Sequence, residues 1–246
     1  SSWSQVVAGF STTLAIRSDG ALFTWGNNSA GQLGNLTVSG RSSPAQVGTS
    51  SWIYIASTFS GNRTAGGITS DYRLFIWGDN TNGQLGLNDT NIHRSSPTQI
   101  GTSSWTTLSI GSSQTVAVRS DGLLFSWGTN TLGQLGDGTT VNKSSPVRIG
   151  TSSWIAVSGG NNHVLAIDIN RGLYAWGVND KGWVNFPDVQ TRIYKNSDKI
   201  GWVNKVHERI VGFESYTAFP GEEIYCIKHP KTIERQERQN DYYDTL

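Results

Sequence analysis

The sequence predicts an all-β fold of repeated four-stranded blades, a β-propeller or an arc of one. Three observations predict it. A Trp-Gly pair recurs at Trp25, Trp77, Trp127 and Trp176, with spacings of 52, 50 and 49 residues. Each unit divides into four short runs of β-branched and aromatic residues cut by Gly, Ser and Asn, the pattern of strands and turns. No segment of residues 1–180 carries an apolar 3.6-residue period long enough for a helix. Self-similarity at a period of about fifty residues belongs to propellers and solenoids, and four strands per period match one propeller blade.

The first strand of each unit opens at Trp3, Trp52, Trp105 or Trp154, as in residues 52–56 (WIYIA). A glycine follows at Gly9, Gly61, Gly111 and Gly160. The second strand is an apolar run such as residues 12–16 (TTLAI) or 115–118 (TVAV), ending at Ile16, Ile68, Val118 and Ile167. Ser18-Asp19-Gly20 and Ser120-Asp121-Gly122 then supply a tight turn, where glycine accepts a positive φ. The second unit has Asp71-Tyr72 at this place, so its hairpin is expected to use a different turn. The third strand is residues 22–25 (LFTW) and its copies. A long polar loop follows and ends at Pro44, Pro97 or Pro146. The fourth strand is short, at residues 45–47, 98–100 and 147–149, and a Gly-Thr-Ser-Ser-Trp linker from Gly48, Gly101 or Gly150 begins the next unit.

The repeated block is Trp25-Gly26 with Gly31-Gln32-Leu33-Gly34, then Trp77-Gly78 with Gly83-Gln84-Leu85-Gly86, then Trp127-Gly128 with Gly133-Gln134-Leu135-Gly136. The fourth unit keeps Trp176-Gly177 but reads Lys181-Gly182-Trp183-Val184 where the others have Gly-Gln-Leu-Gly. The glycine loop lacks the Gly-Lys-Ser/Thr ending and the following helix of a phosphate-binding loop, and a nucleotide site is needed once rather than in every unit. These residues are therefore read as scaffold: glycines turn the backbone, Leu plugs the space between blades, and Trp fills the wedge between them. A carbohydrate-stacking surface is the functional alternative for the tryptophans.

Residues 111–136 (GSSQTVAVRSDGLLFSWGTNTLGQLG) resemble the repeat of the regulator of chromosome condensation family, which runs from a glycine through a His-Thr-like pair and an Asp-Gly turn to Trp-Gly and Gly-Gln-Leu-Gly. The resemblance covers residues 1–182, three full units and most of a fourth. It implies a β-propeller, one that in this family usually closes with seven blades, and it implies guanine-nucleotide exchange on a small GTPase with chromatin binding. The chain departs from the pattern in three ways. The histidine survives only as His163, with Thr12, Thr64 and Gln114 in the other units, the second unit lacks the Asp-Gly turn, and the fourth has no recognisable fourth strand. An arc of four blades exposes an apolar face at each end, so further blades upstream are expected. The absence of methionine and an opening Ser1-Ser2-Trp3 inside the repeat lead to the same expectation of a segment of something longer. End-to-end packing of copies and a closed four-bladed ring are the alternatives.

Charge changes along the chain. Residues 1–180 hold nine Lys/Arg and eight Asp without a Glu, while residues 181–246 hold ten Lys/Arg and ten Asp/Glu. This places a boundary near residues 180–183 and gives two regions, the propeller repeats at 1–182 and a C-terminal cap or attachment region at 183–246. Residues 209–226 read as two strands joined at Phe219-Pro220-Gly221-Glu222, and residues 232–243 (TIERQERQNDYY) as a short helix.

Several function classes are disfavoured. A net charge of +1 provides no attraction for nucleic acid or an anionic membrane. The one cysteine, Cys226, makes no disulfide framework and is expected to be a buried inert thiol. No apolar run reaches the roughly twenty residues that span a bilayer. His93, His163, His207 and His229 share no metal-ligand spacing, and His163 is expected to make a turn hydrogen bond. Residues 88–91 (NDTN) and 137–140 (DGTT) lack the regularity of a calcium loop. Sequons at Asn27, Asn35, Asn62, Asn88 and Asn142 follow from loops rich in Asn, Ser and Thr. No catalytic residue, cofactor or metal is therefore expected, and the chain is read as not an enzyme. The expected function is a protein-binding or structural assembly module, a virion, phage-tail or cell-surface component whose protein partners are subunits of a larger assembly joined through residues 183–246, with no nucleic acid. The alternatives are an exchange factor for a small GTPase and a propeller-type enzyme inhibitor.

Overall fold

The computed structural model describes residues 2–179 and, beyond them, the backbone of four short strand segments. Four antiparallel sheets follow one another along the chain. Blade one is β1 (Trp3–Ala8), β2 (Thr12–Arg17), β3 (Leu22–Gly26) and β4 (Arg41–Gln46). Blade two is β5 (Trp52–Ser57), β6 (Thr64–Thr69), β7 (Leu74–Gly78) and β8 (Arg94–Gln99). Blade three is β9 (Trp105–Ile110), β10 (Gln114–Arg119), β11 (Leu124–Gly128) and β12 (Lys143–Ile149), and blade four begins with β13 (Trp154–Gly159), β14 (His163–Asp168) and β15 (Gly172–Asn179). In blades one to three each strand pairs with its neighbour in sequence. The pairs Thr12↔Gly26, Thr64↔Gly78, Gln114↔Gly128 and His163↔Gly177 put all four units in one register. The first strands lie beside one another in succession, β1 by β5, β5 by β9 and β9 by β13, so they form the inner side of the arc.

The core sits between blades, one cluster at each junction. Leu14, Ile16, Leu22 and Val47 of blade one meet Trp52, Ile55, Ala65 and Trp77 of blade two. Equivalent clusters join blade two to Trp105, Leu108 and Trp127, and blade three to Trp154, Val164 and Trp176. Burial on both sheet faces explains the unbroken apolar reading of the second strands, since β6 is buried at every position. It also explains glycine within that strand: a Cβ on Gly66 would stand 2.9 Å from Leu108 Cδ2 of blade three.

Four local expectations are corrected. The fourth strands start before the proline, at Arg41, Arg94 and Lys143. Pro44, Pro97 and Pro146 fit inside because the ladder shifts register opposite them, and a proline at an edge-strand bulge sacrifices no hydrogen bond. The second hairpin uses the same turn as the others. Tyr72 takes φ 64°, its N–H reaches Thr69 O at 2.8 Å, and Gly20 N–H reaches Arg17 O at the same distance. Tyrosine there costs about 1 kcal/mol in conformation, and the paired strands on either side impose it. Gly61 is not the counterpart of Gly9, Gly111 and Gly160. The bond from Thr58 N–H to Thr64 O takes the place of Gly9 to Thr12, Gly111 to Gln114 and Gly160 to His163, so Gly61 lies within a longer loop.

The fourth correction concerns blade four, which does have an outer partner. After β16 (Gly182–Trp183) pairs with the end of β15, β17 (Tyr194–Lys195) pairs with Leu173 and Gly172. Tyr194 opposite Leu173 takes the place of Ile149 opposite Leu124 in blade three. Farther on, β19 (Arg209–Val211) is a strand, but its partner is β18 (Gly201–Val203). The expected turn at residues 219–222, the helix at 232–243, Cys226, His207 and His229 lie outside the described residues.

Candidate functional site

The repeated block forms the joint between blades. The Gln32 carbonyl accepts the indole N–H of Trp77 in the next blade at 2.9 Å, Gln84 accepts Trp127 at 2.9 Å, and Gln134 accepts Trp176 at 3.1 Å. The glutamine side chains fold back on their own loops, where Oε1 accepts the N–H of Ala30, Asn82 and Leu132. Leu33, Leu85 and Leu135 are fully buried. Gly86 has φ +70°, and a Cβ there would stand 2.6 Å from Trp127 Nε1; Gly136 meets Trp176 at the same distance. Glycine is required because the neighbouring indole occupies the space of a side chain. Gly31 and Gly83 likewise press on Ser95 and Ser144 of the following blade, while Gly26, Gly78, Gly128 and Gly177 pass close to the chain entering the second strand. Trp25 alone of the four paired tryptophans has no preceding blade against it and no acceptor for its Nε1 among the described residues.

The uncovered side of blade one is marked residue by residue. Val6 is 67% exposed, whereas Ile55 and Leu108 at the matching positions are 1% and 0%. Trp3 is 46% exposed, against 4% for Trp52 and 3% for Trp105.

The sequence reading missed a second set, Asn28, Asn80 and Asn130. Each is completely buried. Their Oδ1 atoms accept Leu33 N–H at 2.8 Å, Leu85 N–H at 3.0 Å and Leu135 N–H at 2.9 Å. Their Nδ2 atoms reach into the long loop, to Thr37 O at 2.8 Å, Asp89 O at 3.2 Å and Thr139 O at 2.9 Å. One buried amide thus ties the glycine loop to the surface loop beyond it, and it is stable because its donors and acceptor are satisfied. The signal was present, since Asn stands two places after each Trp-Gly glycine. The loops so held, residues 35–40, 87–93 and 137–142, differ in sequence from unit to unit and expose Leu36, Val38, Ile92 and Val141.

The titratable groups are committed locally. Arg17 and Arg119 each grip the aspartate two residues on at 2.6 Å and lie 5.0 Å over the rings of Phe23 and Phe125. The hydrogen bond from Arg17 holds the Asp19 carboxyl down at about 2, and Arg119 lowers Asp121 in the same way. In blade four Asp168 accepts Tyr174 OH at 2.9 Å together with two main-chain N–H groups. Burial first, then this carboxylate, pushes the Tyr174 phenol up to about 12, so it stays a donor. The His163 side chain does not make the expected turn bond: its carbonyl accepts Gly160 N–H, while Nδ1 is buried without a partner among the described residues. His93 Nδ1 accepts Asn80 N–H at 3.1 Å beside Asp79, a loop contact. Asp89 pairs with Arg94, and Asp137 accepts from Asn130 and Thr139. Among the described residues no three His, Cys, Asp or Glu side chains converge to hold a metal ion, and no helix is long and apolar enough to cross a membrane.

Comparison with known proteins agrees with this geometry. The family model described as "Regulator of chromosome condensation (RCC1) repeat" matches residues 19–62, 71–118 and 121–167, and a second model of the same description matches residues 3–32. The Ultraviolet-B receptor UVR8 of Arabidopsis thaliana is 36% identical over 86 residues, which is 35% of this chain and 20% of that protein. The Probable E3 ubiquitin-protein ligase HERC3 of Homo sapiens is 38% identical over 86 residues, 35% of this chain and 8% of that protein. Human WBSCR16 matches with a TM-score of 0.64 and 22% identity, over 72% of this chain and 48% of that one. Prp20p from Saccharomyces cerevisiae matches with a TM-score of 0.65 and 19% identity, over 99% of this chain and 60% of that one. The two structures share the fold, and the chain spans a fifth or less of the length of the two curated relatives.

Proposed function

The chain belongs to the RCC1 repeat family, and from that premise we propose that it is a non-enzymatic protein-binding module, with partner recognition on the face that carries the long loops. One observation supports this reading above the others. The units share their buried residues and differ in the exposed loops that Asn28, Asn80 and Asn130 hold in place. A fixed scaffold with varied surface loops is the arrangement that serves recognition. The solved yeast relative Prp20p is described with binding properties to Gsp1p and histones, and a second structure of the same protein is of its complex with Kap60. Prp20 is thus one protein of this fold that takes protein partners.

The same proposal includes the ends. A further blade covers blade one, its glycine loop offering a carbonyl to Trp25, so that residues 1–182 are part of a longer propeller. Residues 183–246 act as a cap or attachment to a larger assembly. A virion or cell-surface setting draws support from loop composition alone and not from the relatives named above. Exchange-factor and enzyme-inhibitor activities rank below simple binding, because structural likeness at 19% to 23% identity speaks for the fold and carries no activity.

Loop exchange tests the reading. Replacing residues 35–40 with the sequence of 137–142 is expected to leave the melting temperature within a few degrees and to change the set of proteins captured by in-cell crosslinking. An unchanged set would contradict recognition by this face. Release of labelled GDP from a panel of small GTPases is expected to stay at the uncatalysed rate, and acceleration would promote the exchange-factor reading instead.

A further inference from the structure

We propose that the loop at residues 58–63, together with the loop at residues 9–11, forms a docking patch for a protein segment that presents a carboxylate close to a large apolar side chain. This deepens the binding-module reading and rests on it.

Four loops join the first and second strands of the blades, at the same end as the long loops. Three of them have three residues, at 9–11, 111–113 and 160–162, and the second unit alone has six. The fold does not need the extra residues, since the same hairpin closes three times without them. The longer loop is also held on both sides. Phe10 N–H donates to Thr58 O at 3.0 Å, which fixes it to blade one. Asn62 Nδ2 donates to Ser112 Oγ at 3.2 Å and to Ser113 Oγ, which fixes it to blade three. It is therefore an ordered bridge over three blades.

Two phenylalanines stand at the blade-one end of this bridge. Phe59 is 55% exposed and Phe10 is 66% exposed, while the short loops of units three and four contain only Gly, Ser and Asn. Exposed aromatic area costs about 25 cal/mol per Å² in hydration, and nothing in the blade recovers it. Phe59 belongs to blade two, which has a blade on each side, so its exposure does not follow from the uncovered side of blade one.

Arg63 supplies the polar component. It is the one charged residue in the four loops. Arg17, Arg73, Arg94 and Arg119 each face an aspartate, whereas the exposed Arg63 guanidinium, like those of Arg41, Arg148 and Arg171 elsewhere, has no ion pair or hydrogen bond among the described residues. A free guanidinium matches a carboxylate with two parallel N–H donors. An exposed aromatic and an arginine carried by one six-residue loop are the composition of energetic centres in protein interfaces. The patch therefore selects an acidic, apolar protein segment.

The test uses the full chain and a displayed library of random dodecapeptides, with affinities of enriched peptides read by fluorescence anisotropy. Enriched peptides are expected to carry Asp or Glu within a few residues of Phe, Tyr, Trp or Leu. Phe59→Ala and Arg63→Glu are each expected to weaken binding at least tenfold, Arg63→Lys to keep most of it, and Arg148→Glu on the outer strand of blade three to leave it unchanged. All variants should retain the wild-type circular dichroism and melting temperature. Enriched peptides that lack carboxylates, or whose binding ignores Phe59→Ala and Arg63→Glu, overturn the patch and leave the binding-module reading standing. No enrichment also overturns the patch, while the binding module is judged separately by loop exchange.

Discussion

Gly86 and Gly101 separate two reasons for a glycine. Both have positive φ, at +70° and +53°, but a Cβ on Gly86 would meet Trp127 of the next blade, whereas Gly101 faces open space. Alanine at Gly101 meets only the left-handed conformation, about 1 kcal/mol. Alanine at Gly86 adds the displacement of a buried indole and loss of its hydrogen bond to Gln84, for a total of about 3 kcal/mol. Urea denaturation of the two variants measures the difference, and equal losses would show that the indole does not bear on the glycine loop.

At the scale of elements, the long loop depends on one amide. Asn130→Ala leaves the Leu135 N–H without its acceptor and releases the Thr139 carbonyl. The expected cost is about 2 kcal/mol, with faster amide exchange at Leu135 and new protease cleavage within residues 137–142, while the blade-one loop held by Asn28 stays intact. Strand order and the repeat register were legible because both second and third strands are short, apolar and punctuated by glycine. What escaped depends on neighbours. Tyr72 keeps the common turn because two paired strands impose φ 64° on a residue that does not prefer it. The fourth strands run through proline because the bulge there removes the need for an N–H. Thr58 took the place expected of Gly61 because an insertion shifted the local alignment. Strand β17 is reached only after an interruption of the repeat pattern and carries no periodic signal of its own. The Trp-Gly-x-Asn pattern was visible, but its meaning, a buried amide spanning two loops, required the contacts.

At the scale of the molecule, the blades form an arc joined by the same bond three times, from an indole N–H to the main-chain carbonyl of a glutamine in the preceding blade. That joint makes the repeated block a scaffold and leaves the surface loops free to differ. It also leaves blade one with an indole donor and an apolar face that nothing described covers, through Trp25, Trp3 and Val6. Hydrogen exchange of the indole N–H groups in the 246-residue chain by itself, without any further blade, assigned by single Trp→Phe substitutions, tests this most directly. The indoles of Trp77, Trp127 and Trp176 are expected to exchange slowly, opening only when blades separate, and Trp25 to exchange on the order of a hundredfold faster. Exchange at Trp77, Trp127 and Trp176 as fast as at Trp25 would contradict the joint, and protection of Trp25 equal to theirs would contradict the uncovered face.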